Sequence, residues 1–142
     1  MPHAEVLDDV DYRALADVRY HIRRFLQVSE RIARDAGVEP QQHQLLLAVR
    51  GLPPDSGSTI GEVAERLQLR HNSTDELIRR AEERGLVRTH RGTDDRRQVI
   101  VRLTRSGEQA LRELSQAHVD ELRREAPGLI AGLQRLIANR PE

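Results

Sequence analysis

Three charged residues, Asp95, Arg96 and Arg97, lie between two short apolar runs of the sequence. The runs, Leu86–His90 and Gln98–Leu103, have the composition of β-strands, so the pattern predicts a hairpin that carries the charges at its tip. The guanidinium of arginine is a planar fork that matches phosphate oxygens and the edge of guanine. The tip therefore has chemistry suited to a nucleic acid. The alternative is a merely solvated turn, since Asp and Arg are common in exposed hairpins.

A helix precedes the hairpin, over about residues 71–84, and Gly85 ends it. Ser73 with Glu76 has the form of a capping box, so the start is predicted only to within residues 71–73. Free amides at such a start bind phosphate. A helix followed by a hairpin is how a winged helix-turn-helix protein meets DNA, with the helix in the major groove. The inner face of the predicted helix consists of Leu77, Ile78 and Ala81, and the outer face of His71, Asn72, Ser73, Thr74, Glu76, Arg79 and Arg80.

Two more helices are predicted upstream of this recognition helix. One runs from Pro40 to about Arg50, and a loop over residues 51–57 follows it. A short helix then spans Ile60–Leu67, with Ser58 or Thr59 as its cap, and residues 68–70 form the turn of a helix-turn-helix. The core face of the first of these helices is predicted to be Leu45, Leu46, Leu47 and Val49.

Long amphipathic patterns lie at both ends of the chain. The first spans residues 11–36 and stops at Gly37. The second begins after Thr104, a good N-cap, and Pro127-Gly128 predicts a break between a helix over 105–125 and a last helix over 129–138. Both patterns have apolar faces wider than a small winged-helix core can bury.

The sequence resembles the MarR family of bacterial transcription regulators. The likeness rests on GLV at residues 85–87, DRR at 95–97 and LTRSG at 103–107, at the family's spacing. The resemblance implies one mainly α subunit over residues 1–142 with a small β-hairpin wing. It implies a DNA-binding lobe at 38–104, with its recognition helix at 71–84 and its wing at 86–103. It also implies that helices at 11–36 and 105–140 join two copies into a homodimer on a pseudo-palindromic operator.

The resemblance also assigns roles to particular residues. Arg97 would enter the minor groove of double-stranded DNA, and Asp95 would orient an arginine by ion pairing. Arg88, Arg91 and Arg96 are candidate phosphate contacts. Asp75 and Glu76 depart from the family pattern, in which the place of Glu76 often holds an arginine or a neutral residue. Two interpretations of Glu76 stay open: a favourable interaction with the helix dipole, or acceptance of a hydrogen bond from cytosine.

Charge is neutral in total but uneven along the chain. Lys and Arg together equal Asp and Glu, 23 of each. The segment 70–105 nevertheless holds ten arginines against six acids, where the motifs lie. The absence of lysine is most simply explained by codon usage. Without cysteine, disulfides and thiolate zinc sites are excluded.

The sequence contains few features typical of other functional classes. We expect no enzyme, cofactor or metal site, because no nucleophile with its base, no phosphate-binding glycine loop and no histidine pair is recognisable. No membrane span or signal sequence is evident, so we expect a cytoplasmic protein. In the family, small anionic aromatic molecules often bind between the dimer helices and the DNA-binding lobe, and His21, Arg24 and His43 are candidates for such a pocket.

The sequence therefore predicts a homodimeric DNA-binding regulator, most simply a repressor released by a ligand. The rival is a winged-helix dimer that binds a protein partner or senses a ligand without binding DNA. The acids of the recognition helix and the neutral total charge favour the rival. The intact tip at 95–97 and the local positive charge favour DNA.

Overall fold

The computed structural model describes residues 4–53 and 58–138. The predicted class, mainly α with one small β-hairpin, is confirmed. Part of the loop predicted at 51–57 lies outside the described residues. Among the residues that are described, no helix is both long and apolar enough to cross a membrane. The elements are α1 (Asp9–Asp35), α2 (Pro40–Gly51), α3 (Ile60–Leu67), α4 (His71–Glu83), β1 (Val87–Arg91), β2 (Val99–Leu103) and α5 (Arg105–Ala138).

The first helix begins and ends within two residues of its predicted bounds. At its start, the Asp11 amide donates to Asp8 Oδ1 over 2.9 Å and the Asp8 amide donates to Asp11 Oδ2 over 3.1 Å. At its end, Gly37 has a φ of +78°, and its amide donates to the Arg34 carbonyl. Side-chain acceptors at the start and a left-handed glycine after the end pair the backbone groups that a helix leaves open.

The predicted break at Pro127-Gly128 is wrong, because α5 continues through both residues. Gly128 has a packing role instead, since a Cβ there would overlap the His21 ring of α1. One turn later, a Cβ on Gly132 would lie 2.7 Å from Val18 Cγ2. The two glycines let α1 and α5 approach closely. Contacts along this face hold the helix together despite the hydrogen bond that Pro127 removes.

The chain forms two compact units: residues 33–116, which we call the winged unit, and residues 1–32 with 117–142, the paired-helix unit. In the winged unit, α2, α3, α4 and the hairpin pack around one apolar core. Burial of one such side chain stabilises a fold by about 1.5–3 kcal/mol, so this core fixes α4 and the hairpin within the unit. Its most deeply buried members are Leu45, Leu46, Val63, Leu77, Ala81, Val87 and Val101.

The predicted core face of α2 is wrong at one position. Leu47 is 49% exposed, whereas the other three predicted residues are buried. A helix turns by about 100° per residue, which carries Leu47 away from a face centred on residues 45, 46 and 49. Gln42 and His43 are buried on that face one turn earlier. The Gln42 side chain is paired there, since its Oε1 accepts a hydrogen bond from Arg84.

The two strands form an antiparallel ribbon whose register pairs Val87 with Leu103. The segment before α3 extends the ribbon, because the Val101 amide donates to the Ser58 carbonyl over 2.8 Å. The inner residues of both strands enter the apolar core. One face of the wing is therefore anchored in the core, and the opposite face carries Arg88, His90 and Arg102 beside the buried Ile100.

The LTRSG motif joins the wing to α5. Thr104 Oγ1 accepts from the Gly107 amide over 3.0 Å, which confirms Thr104 as the N-cap, and it donates to the Gly85 carbonyl over 2.5 Å. A Cβ on Gly107 would overlap the Leu86 carbonyl oxygen. Because a backbone oxygen cannot move aside as a side chain can, only glycine fits there.

The paired-helix unit has the opposite distribution of polarity. Between α1 and α5 it buries Asp11, Ser29, Glu121 and Glu125 beside the small Ala14 and Val18. Across the described residues, thirteen of the fourteen large apolar side chains that stay exposed belong to this unit. Examples on α1 and α5 are Leu15, Ile22, Leu26, Val119, Leu122, Ile130 and Leu133.

Candidate nucleic-acid interface

The recognition helix α4 begins at His71, and the three residues 68–70 separate it from the end of α3. Gln68 makes the short turn by adopting a left-handed backbone with a φ of 54°. The N-cap is Arg70, and it provides no side-chain hydrogen bond. The predicted capping box of Ser73 and Glu76 is therefore wrong. The first amides of α4 have no side-chain cap and so can bind a phosphate oxygen.

Thr74 does not lie on the outer face, contrary to the prediction. It is fully buried, and its hydroxyl donates to the Arg70 carbonyl over 2.9 Å. Thr74 stands three residues before Leu77 and four before Ile78, a spacing that places it on the inner face of the helix. Thr74 thus stabilises the first turn and cannot contact DNA without leaving the core. The predicted residues that do lie exposed on α4 are His71, Asn72, Ser73, Glu76, Arg79 and Arg80.

The two arginines of α4 each have an acidic partner. Arg79 donates to Asp75 Oδ2 over 3.0 Å, and Arg80 lies 3.6 Å from Glu39 Oε2. All four side chains are about half exposed or more, and such pairs contribute only about 0.2–1 kcal/mol. The pairs hold the guanidinium groups at the helix surface. A phosphate could replace either carboxylate at small cost.

The helix start also bears on the acids of α4. Because α4 begins at His71, Asp75 and Glu76 lie beyond its first turn, which contains no acid. The effect of the helix dipole falls off within that turn. The dipole interpretation of Glu76 therefore loses its support, while Asp75 gains a role as the partner of Arg79.

At the wing tip, Asp95 organises the backbone and one side chain. Its Oδ1 accepts from the Arg97 amide over 3.0 Å and from Arg97 Nε over 3.3 Å. The Arg97 side chain is nevertheless 93% exposed. Arg91 donates to the Arg96 carbonyl over 3.1 Å and so braces the other side of the tip. The tip thus presents an oriented guanidinium to solvent.

The outer face of the hairpin adds a pair of arginines. Arg88 on β1 lies directly opposite Arg102 on β2, and both are exposed. Directly opposed like charges are unfavourable in a sheet, and an anion would relieve the repulsion. Arg102 was absent from the predicted contacts, although the alternation of β2 places it on the outer face. It donates to His90 Nε2 over 3.0 Å, which keeps it on that face.

The three predicted ligand-binding residues do not gather in one unit. His21 and Arg24 share the buried carboxylate of Glu125, with contacts of 2.7 Å from His21 Nδ1 and 2.9 Å from Arg24 Nε. The hydrogen bond with His21, followed by that with Arg24, lowers the pKa of Glu125. His43 is buried in the winged unit. The sequence analysis missed Glu125, because its partners are about a hundred residues away along the chain.

Comparisons with known proteins support the fold. Residues 36–98 match the model of the MarR family, which confirms the predicted resemblance. The structure is similar to AbsC, a MarR family transcriptional regulator from Streptomyces coelicolor (TM-score 0.75, 21% identity, 93% of this chain and 92% of that one). It is also similar to a mutant MarR from E. coli complexed with operator DNA (0.69, 17%, 85% and 88%). An S. aureus MepR mutant bound to an oligodeoxyribonucleotide is similar too (0.63, 20%, 87% and 81%). No curated protein matches the sequence.

Proposed function

We propose that this chain, whose residues 36–98 match the MarR family, is a DNA-binding transcription regulator that acts as a homodimer. The observation that carries the proposal is the wing tip. Asp95 orients the Arg97 guanidinium, which remains almost wholly exposed, in the same unit as a recognition helix whose first amides have no side-chain cap. Such a tip has no packing role to explain it.

Each surface suits one part of a duplex. The exposed face of α4 fits the major groove, where Asn72, Ser73 and Arg79 can reach base edges or phosphates. The wing then lies over the adjacent minor groove, whose negative potential attracts the Arg97 guanidinium. Arg88 and Arg102, opposed across the strands, face the sugar–phosphate backbone.

The paired-helix unit supports the proposed dimerisation. Among the described residues, thirteen large apolar side chains of this unit are exposed against one of the winged unit, and extensive exposed apolar surface marks an interaction site. A second copy related by a two-fold axis would cover the same surface on both subunits. The two recognition helices would then read a pseudo-palindrome, one half-site each.

For regulation we propose a repressor that a small anionic aromatic effector releases. His21 and Arg24 support binding of such an effector, because the imidazole and the guanidinium already bind one carboxylate, that of Glu125. An effector with a carboxylate of its own would compete for the same donors. The competition would change the contact between α1 and α5.

A second candidate function is a winged-helix dimer that binds a protein. The specific observation in its favour is that both arginines of α4 are already paired with acids, Arg79 with Asp75 and Arg80 with Glu39. A surface of balanced charge suits a protein partner. The wing is less balanced, because residues 86–103 hold five arginines against two acids, and this excess of positive charge favours DNA.

Selection of DNA fragments tests the proposal. The purified protein would be incubated with a pool of random duplexes, and the retained fragments would be sequenced after several rounds. We expect enrichment of an inverted repeat whose half-sites are spaced by about one helical turn of DNA or a multiple of it. The unselected pool at the same salt concentration is the control. If no fragment is enriched and none shifts in a gel, the protein-binding function replaces this one.

A further inference from the structure

Glu82 is an acid where two separate effects disfavour one. It lies in the last turn of α4, at the negative end of the helix dipole. It also lies inside the segment that presents arginines to DNA, where a carboxylate repels phosphate. The contacts of its side chain provide an explanation for its presence.

Both groups that Glu82 binds belong to one residue of the wing. Glu82 Oε2 accepts from the Thr89 amide over 2.8 Å and from Thr89 Oγ1 over 2.7 Å. Thr89 lies in the middle of β1, and its strand partner is Val101. The Val101 amide points away from β1, to Ser58. The Thr89 amide likewise points away from β2, so Glu82 pairs a donor on the open edge of β1.

The base of the hairpin is held in the apolar core through Val87 and Val101, but the outer half of the ribbon is largely exposed and is freer to bend. The link between α4 and β1 is short, and Gly85 within it has a φ of +73°. Two hydrogen bonds from the side of α4 to the middle of β1 restrain such bending. Charge-assisted hydrogen bonds to a carboxylate are roughly twice as strong as neutral ones. The Glu82–Thr89 contact therefore helps to hold the outer half of the wing at a fixed angle to the recognition helix.

The geometry points to Glu82 as a positioning residue for DNA binding, which aims the wing arginine Arg97 at the minor groove while α4 occupies the major groove. The inference rests on the proposed function and deepens it. Glu82 itself need not touch DNA. Its substitution would uncouple the wing from the helix without removing any cation.

A double-mutant cycle on the selected duplex tests this role. In the wild-type background, Arg97→Ala should weaken binding by about 5- to 150-fold per half-site, the loss of one specific contact. In the Glu82→Ala background Arg97→Ala should weaken binding by less than about threefold, because the misdirected Arg97 no longer makes a strong contact with DNA. Glu82→Gln should restore most of the Arg97 effect, because its amide oxygen can accept from the Thr89 amide.

The neighbouring Glu83 provides a matched control. Glu83→Ala removes an exposed carboxylate from the same turn of α4 and so reproduces the change in charge. In that background the full cost of Arg97→Ala should persist. An undiminished Arg97 effect in Glu82→Ala would overturn the inference while leaving DNA binding intact.

A second measurement needs no DNA. Exchange of the Thr89 amide with solvent, followed by NMR, should accelerate by about tenfold or more in Glu82→Ala and stay unchanged in Glu83→Ala. Unchanged exchange in Glu82→Ala contradicts the proposed restraint. If the wild-type protein binds no duplex at all, the proposed function fails first, and the role of Glu82 in positioning Arg97 on DNA fails with it.

Discussion

In the winged unit, Leu45, Leu46 and Leu77 are at most 1% exposed, whereas the paired-helix unit buries the carboxylates of Asp11, Glu121 and Glu125. The winged unit covers nearly all of its large apolar side chains and keeps its charges outside. The paired-helix unit, where it is described, leaves thirteen large apolar side chains exposed. The winged unit has the distribution of polarity of an independently folded domain. The paired-helix unit has the distribution expected of one subunit of an oligomer.

The contrast also separates two uses of ion pairs. On the winged unit, pairs such as Arg79–Asp75 and Arg97–Asp95 are exposed and can exchange a carboxylate for a phosphate. In the paired-helix unit, Glu125 is buried and holds α1 to α5. Removal of one partner from a buried pair is expensive, while exposed pairs contribute little. Exposed ion pairs are therefore suited to binding a ligand, and buried ion pairs are suited to fixing how one helix packs along another.

The largest expected effect lies on the apolar surface of the paired-helix unit. Leu133→Glu places a carboxylate where we propose that a second copy packs. An uncompensated buried charge costs about 3–5 kcal/mol, so the dimer should dissociate at micromolar concentration. Sedimentation equilibrium measures the change.

The matched control is Leu47→Glu, on the winged unit. Leu47 is about as exposed as Leu133, and its substitution should leave a dimer. A well-folded wild-type monomer at micromolar concentration would contradict the claim that the paired-helix unit forms a dimer interface.

The next effect in size concerns the wing tip. Arg97→Ala should weaken operator binding by about 1–3 kcal/mol per half-site, the value of one specific contact. Unfolding should change by no more than about 0.5 kcal/mol, as for other surface substitutions. Arg97→Lys should recover part of the affinity, because an ammonium lacks the planar fork, and Asp95→Ala should weaken binding less. Fluorescence anisotropy with a labelled duplex gives the affinities.

Arg31→Ala, at an exposed arginine of α1, is the control for loss of one positive charge. Operator affinity that survives Arg97→Ala but is abolished by Arg79→Ala or Arg80→Ala would show that the wing makes no contact of consequence.

Acid should reveal the buried pair of the paired-helix unit. The folded-state pKa of Glu125 is lowered, first by His21 and then by Arg24. A depressed carboxyl pKa gives stability that is fully present above the ordinary value of 4.5 and is lost as pH falls through the folded-state pKa. Glu125→Gln should therefore be less stable than the wild type at pH 7, and the difference in free energy of unfolding should disappear in acid.

Urea unfolding at fixed protein concentration, from pH 7 down to pH about 3, measures the gap. Glu5→Gln, an exposed carboxylate, should follow the wild type throughout. A gap between the wild type and Glu125→Gln that stays constant with pH would contradict the assigned role.

The smallest expected effect is at Glu76. Because Glu76 lies beyond the first turn of α4, its effect on DNA is mainly repulsion of phosphate. Glu76→Ala should tighten binding to every duplex by less than about tenfold, as expected for one partly screened charge. Competition with duplexes that vary at single base pairs separates the alternatives. Selectivity lost at one position would assign Glu76 to cytosine instead.

Much of the fold could be predicted because its signals are local. Gly85, Thr104 and the alternation of two strands act within a few residues of where they stand, and the hairpin, the α5 cap and the winged-helix class follow from them. The motif at residues 103–107 has a physical basis in Gly107, which must pass close to a backbone carbonyl.

The errors have two causes. Helical geometry alone, at about 100° per residue, separates Leu47 from the core face of α2 and places Thr74 on the inner face of α4. Gly128, in contrast, looks like a helix breaker until His21 is seen beside it. The partners of Glu82 and Glu125 are likewise set by tertiary contacts. Spacing along the sequence cannot identify a partner that only folding brings near.

The response of DNA binding to salt tests the central claim most directly. If the exposed arginines of α4 and the wing neutralise phosphates, binding of the selected duplex releases counterions. With about three to five such contacts per subunit, a plot of log affinity against log salt concentration should be linear with a slope of about −5 to −9 for the dimer. A flat response, or no binding to any selected duplex at low salt, would contradict the account.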